Sequence, residues 1–118
     1  MKNIKNINDA VSIYTSAWNE ADRESILEKL SQCLAPEVSY TDNITDTIVG
    51  LDALTDFILS SYEHMGPRSF HLMAEPNNHH QTALYRWLAV RDNGFPMDGL
   101  DFAEFDSEYR ITRIVGFI

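Results

Sequence analysis

Near its C-terminal end the chain reads Met97-Asp98-Gly99-Leu100-Asp101-Phe102-Ala103-Glu104-Phe105-Asp106, and Asp101 is the residue there that could do chemistry. Side chains alternate along a strand, so Asp101 shares a face with Gly99, Ala103 and Phe105. A carboxylate among small and apolar neighbours sits at the mouth of a cleft or is held protonated inside one, because burying it ionised and unpaired is too costly. Placed so, it is a candidate general acid or hydrogen-bond donor. On an edge strand it would simply face water. A second acid, Asp42, ends the row Val38, Tyr40, Asp42 on one face of an alternating segment. A third polar group, the Tyr14 hydroxyl, falls on an apolar helical stripe beside Ala10, Ala17 and Ala21, small residues that leave room for something else to pack.

These groups need elements to hold them. Ala10, Ile13, Tyr14, Ala17, Trp18 and Ala21 recur at helical spacing and predict a first helix over about 8–21, with Asn6 or Asn8 as N-cap. Asp22 can cap a second helix with the stripe Ile26, Leu27, Leu30 and Leu34, ended by Pro36. Residues 37–42 alternate as a short strand, and 43–49 read as a polar loop. Gly50 precedes a third helix carrying Leu51, Leu54, Phe57, Ile58 and Tyr62, stopped by Gly66-Pro67. Four strands follow, over 69–75, about 82–92, 97–106 and 110–118, separated by turn chemistry at Pro76-Asn77-Asn78, Asn93-Gly94 and Ser107-Glu108. Helices first and then an antiparallel meander predict an α+β fold, with helices on one face of a curved sheet.

A chain of 118 residues is expected to form one domain, spanning 1–118. Acids outnumber Lys plus Arg by 18 to 9, for a formal net charge of −9, so phosphate backbones and anionic membrane surfaces are repelled. Nucleic acid and membrane are therefore not expected as partners. The Lys/Asn-rich start lacks the apolar region of a signal peptide, and the expected location is cytoplasmic. The single cysteine, Cys33, reads as a small core residue. Four histidines show no metal-ligand spacing, so no metal is expected; His79 and His80 read as turn or strand-end residues, one of which could reach a cavity rim.

Several segments together carry a family resemblance. These are Tyr14 through Trp18-Asn19-Glu20-Ala21-Asp22, the run from Leu34 to Asp42, Gly50-Leu51-Asp52-Ala53-Leu54, and Gly99-Leu100-Asp101 with Arg110 to Phe117. The chain resembles a SnoaL-like member of the nuclear transport factor 2-like (NTF2-like) superfamily over nearly its whole length. That resemblance implies a cone-shaped, cystatin-like α+β barrel: three N-terminal helices packed in a strongly bent, mostly antiparallel sheet, around an apolar pocket. It also implies a homodimer formed through the sheet.

Ketosteroid isomerases and polyketide cyclases of that superfamily act on enolisable carbonyl compounds without a cofactor. Carried over residue by residue, the isomerase pattern makes Tyr14 similar to the donor to the carbonyl oxygen, Asp42 to the proton shuttle, and Asp101 to a protonated second donor. Such chemistry needs a base within reach of carbon and donors where charge develops on oxygen. Trp18, Phe57, Trp87, Met97 and Phe117 are the expected apolar walls for a small hydrophobic ligand. Asn43 stands where the isomerases have proline, Phe102 where they have histidine, and Tyr109 where the SnoaL-like pattern has glycine. The same fold also serves noncatalytic ligand-binding and dimerisation domains, the second function class the sequence admits.

Overall fold

The computed structural model describes residues 4–92 and 94–118. The first helix, α1 (Ile7–Ala17), starts at Asn6, whose side-chain oxygen accepts the Asp9 N–H at 2.9 Å. It stops at Ala17 rather than Ala21, because the N–H groups of Trp18, Asn19 and Glu20 turn back to the carbonyls of Thr15, Ser16 and Ala17. Asp22 caps α2 (Arg23–Cys33) through the Ser25 N–H at 2.9 Å. Here the expected boundary moves: Leu34 has left the helix and opens β1 (Leu34–Asp42), with no loop between. Pro36, expected to end the helix, instead sits in β1 where its pairing is irregular and no N–H is needed.

Residues 43–49 are not a loop throughout. Asp42 Oδ1 accepts the Ile44 N–H at 3.0 Å, closing a tight turn, and Thr45–Val49 returns as β2 antiparallel to β1. The β-branched residues Thr45, Thr47, Ile48 and Val49 were the strand signal beneath the polar composition. Gly50 precedes α3 (Leu51–Met65) at φ +96°, a conformation open to glycine, while its N–H bonds Val38 O at 2.8 Å.

The expected strand over 69–75 is the shorter β3 (Arg68–Leu72), and the expected turn at Pro76-Asn77-Asn78 instead opens a short strand, β4 (Asn77–His79); both pair with β5 (Thr82–Arg91). His80 and Gln81 form the two-residue hairpin turn between β4 and β5, each at positive φ, without the Asn-Gly chemistry that would announce it. Then come β6 (Met97–Phe105) and β7 (Ile111–Phe117). Tyr109, where glycine was the usual residue, takes φ +63° in the β6–β7 turn and lies against Phe105.

The main path of the sheet is β2-β1-β7-β6-β5-β3, with β1 parallel to β7 and the other pairs antiparallel. Register shifts in β1 and in β6–β7 bend it, and its ends do not pair, so the curved sheet stays open. Its inner face packs on the helices through a core that includes Val11, Ile26, Leu30, Ile58, Ile111 and Ile114. No helix among the described residues is long and apolar enough to cross a membrane.

Candidate functional site

Between the helices and the inner face lies a cavity of about 270 Å³. β6 runs between β5 and β7, so Asp101 is on a central strand and not an edge. Its burial alternates as the sequence required, with Gly99, Asp101, Ala103 and Phe105 inward. Asp101 is 7 % exposed and borders the cavity.

Register then decides what Asp101 meets. Tyr85 lies opposite Asp101, and Trp87 opposite Gly99. A Cβ on Gly99 would overlap the Trp87 ring, so glycine lets the indole lie across β6 and donate its N–H to Asp101 Oδ1 at 3.1 Å. On the other side Gly116 is opposite Asp101. A Cβ on Gly116 would stand 3.1 Å from Asp101 Oδ1 and 3.4 Å from Asp42 Cβ, so the two acidic residues flank this one glycine. Burial pushes the Asp101 carboxyl up to about 6, opposed by the Trp87 indole and by Tyr85, with the charge of Asp42 adding to the rise.

Asp42 sits where β1 turns into β2, partly open to solvent. One oxygen accepts the Tyr40 hydroxyl at 2.7 Å and the other the Ile44 N–H at 3.0 Å, which fixes the carboxylate at the cavity wall. Burial drives the Tyr40 phenol well above its ordinary range, so it remains a donor. Tyr14 and Tyr85 also line the cavity, and burial raises both their phenols. Among the described residues neither hydroxyl makes a hydrogen bond of good geometry, although Tyr85 lies near enough to Asp101 to hold its carboxyl down. Two buried O–H groups with no well-formed bond inside the protein are donors that a ligand oxygen entering the cavity can engage.

The apolar walls are aromatic. Trp18 meets Phe57 edge-on at 6.0 Å and Phe70 at 5.3 Å, and Phe70 meets Trp87 at 5.5 Å. Phe70 is fixed from a distance in sequence: the Asn19 side chain accepts its N–H at 2.6 Å and donates to its carbonyl at 3.2 Å. This two-way bond joins the end of α1 to β3.

Of the residues singled out from the sequence, Tyr14, Asp42, Asp101, Trp18, Phe57, Trp87 and Met97 all border the cavity. Phe117 does not. It is 55 % exposed on the outer face, because Gly116 takes the inward position opposite Asp101; its neighbour Ile118 borders the cavity instead. His79 and His80 are exposed and do not reach the cavity; their Nδ1 atoms face each other at 3.0 Å. Cys33 is fully buried, with burial pushing its thiol up to about 12, as befits a core residue. Among the described residues no three His, Cys, Asp or Glu side chains gather as metal ligands.

Sequence reasoning missed Tyr85, Phe70 and Arg91 and treated Tyr40 only as part of an apolar row. The alternation Tyr85, Trp87, Ala89, Arg91 was visible, but its pairing with Gly99 and Asp101 was not.

No family model matches the chain, and no curated protein matches it by sequence. Solved structures do match. A candidate isomerase of the SnoaL-like family from Agrobacterium tumefaciens str. C58 superposes with TM-score 0.83 at 24% identity, over 92% of this chain and 93% of that one. A candidate polyketide cyclase from Sinorhizobium meliloti gives 0.72 at 18% identity, over 92% and 93%. An NTF2-like protein of unknown function from Exiguobacterium sp. 255-15 gives 0.71 at 18% identity, over 91% and 95%. The chain therefore has the NTF2-like fold.

Proposed function

We propose that this NTF2-like chain is a cytoplasmic protein that binds a small, largely apolar carbonyl compound in its cavity and shifts a proton beside that carbonyl without a cofactor. The observation that carries this reading is the meeting of Asp42, Asp101, Tyr14 and Tyr85 at one aromatic-walled cavity. The candidate isomerase and candidate cyclase among the structural neighbours support the same class of reaction.

The roles follow from each group's surroundings. Asp42, held by Tyr40 and the Ile44 N–H, takes a proton from the carbon next to the carbonyl, and the electrons move onto oxygen as an enolate. Tyr14 and Tyr85 offer free O–H groups to that oxygen, and Asp101 in its protonated form offers a third. Asp42 then returns the proton to a second carbon, completing an isomerisation, or the enolate carbon adds to an internal carbonyl, whose C=O π electrons move to its oxygen and take the proton from Asp42, completing a ring closure. The aromatic walls exclude water and grip a flat body.

The test uses a β,γ-unsaturated ketone such as cyclohex-3-enone, followed by the ultraviolet absorbance of its conjugated product. Turnover by the native protein is expected, and Asp42→Asn should lower kcat by about a hundredfold or more. Binding of the ketone with no turnover would leave a noncatalytic ligand-binding domain, and turnover unaffected by Asp42→Asn would remove Asp42 from the reaction.

A further inference from the structure

One end of the cavity carries charge that the proton transfer does not use. Arg68 of β3 lies directly opposite Arg91 of β5, and opposed residues of an antiparallel pair project from the same face. The next inward pairs along this ladder are Phe70 with Ala89 and Leu72 with Trp87, and both Phe70 and Trp87 line the cavity. The two arginines thus continue the inner face, with Arg91 in the cavity wall together with Met65 and Met97. Like charges directly opposite each other destabilise a ladder unless something lies between or above them.

Among the described residues no acidic side chain does so. Among the described residues the ion pairs involve Arg23, Lys29, Arg86, Arg110 and Arg113, and neither Arg68 nor Arg91 is among them. Arg68 is only 8 % exposed, and its three guanidinium nitrogens are buried without a hydrogen-bond partner. Its Cζ lies 4.8 Å from the centre of the Tyr62 ring and 5.5 Å from that of Phe70, which offsets part of the desolvation. Such stacking recovers only part of what burying an ion without its counter-charge costs. Among the described residues the Arg91 Nε is likewise buried and unpartnered, and its Nη2 donates to the Phe95 carbonyl at 3.4 Å. Arg91 stands four residues along β5 from Trp87, about 13 Å at strand spacing, so an anion there would be kept away from Asp101.

We propose that the carbonyl ligand of the cavity also carries a carboxylate, its apolar body among the aromatic walls and its carboxylate held by Arg91, with Arg68 behind as a second positive charge. This deepens the proposed function and rests on the cavity being a ligand site. A guanidinium fork matches a carboxylate in plane, and a single negative charge suits a site of two cations in a chain of net charge −9.

The test compares 2-naphthylacetate with its methyl ester by calorimetric titration at low salt. The acid should bind about tenfold tighter or more, and the preference should shrink as salt rises. Arg91→Gln should bring acid and ester to within about twofold, and Arg68→Gln should cut the preference by about threefold without lowering Tm, because it removes an unpaired buried charge. The salt dependence of the native protein gives the answer even if a substituted chain fails to fold. If acid and ester bind equally well, the anion site is refuted while the apolar cavity stands. If neither binds, the cavity reading falls and the anion site with it.

Discussion

The Trp87 indole donates its N–H to Asp101 at 3.1 Å by crossing the strand over Gly99, a residue with no side chain to block it. That contact sets both the orientation of the carboxyl group and part of its proton affinity. Gly99→Ala should force the ring away, at a cost of about 1–3 kcal/mol in stability from overpacking. With the donor gone, the Asp101 pKa should rise further. Chemical denaturation and an NMR titration of the Asp101 carboxyl carbon check both halves; an unchanged titration would show that the indole does not tune this acid.

The raised pKa of Asp101 makes stability depend on pH in a direction opposite to that of a salt-bridged acid. Its carboxyl titrates near 3.8 when unfolded and at about 6 when folded, so the native state binds the extra proton between them. The contribution of Asp101 is most favourable below the lower value, is lost as pH rises toward about 6, and is constant above. The full swing is on the order of 3 kcal/mol. Asp101→Asn should therefore stabilise the protein at pH 8, with the gain fading toward pH 4. Denaturant unfolding of both proteins across that range measures the difference, and a gain that is flat with pH would refute the buried acid.

Tyr14 and Tyr85 present the trade-off expected of groups kept for a ligand. Each hydroxyl is buried with no well-formed hydrogen bond among the described residues, so Tyr14→Phe and Tyr85→Phe should each leave stability unchanged or raise it by about 1–2 kcal/mol. The same substitutions should weaken binding of a carbonyl ligand several-fold, since its oxygen loses a donor. Thermal melts with and without cyclohex-3-enone separate the two effects. Loss of stability in the free protein would mean the hydroxyls serve the fold instead.

We propose that a homodimer forms through the outer face of the sheet. Leu84 lies opposite Phe102, Phe102 opposite Val115, and Leu100 opposite Phe117, which joins these side chains into an apolar strip across β5, β6 and β7. Phe117 is 55 % exposed and Leu84 42 %. Phe117→Asp should convert a dimer into a monomer in analytical ultracentrifugation, with the cavity on the opposite face unaffected. A native protein that sediments as a monomer at micromolar concentration would remove this assembly.

The local part of this protein was written in the spacing of its residues. Alternation along 97–106 put Asp101 with Gly99, Ala103 and Phe105, and all are inward. The helical stripe put Tyr14 on the core side of α1 with Trp18 as its C-cap, and the polar residues Asn6 and Asp22 capped the helices as their chemistry requires. The fold class followed from the order of those elements, because helices followed by a meander have few ways to bury their apolar faces.

The tertiary structure decided which groups meet. Tyr85 belongs to the site because β5 pairs with β6 in a register that places it opposite Asp101, and Arg68 stands beside Arg91 because β3 pairs with the other edge of β5. Phe117 fell outside for the same reason: pairing Gly116 with Asp101 turned Gly116 inward and left the next residue facing out. A one-residue change of register exchanges the two faces of a strand, and register is set by contacts between segments far apart in the chain. Spacing within a segment can therefore say which side chains travel together, while only the pairing of strands fixes the space they enter.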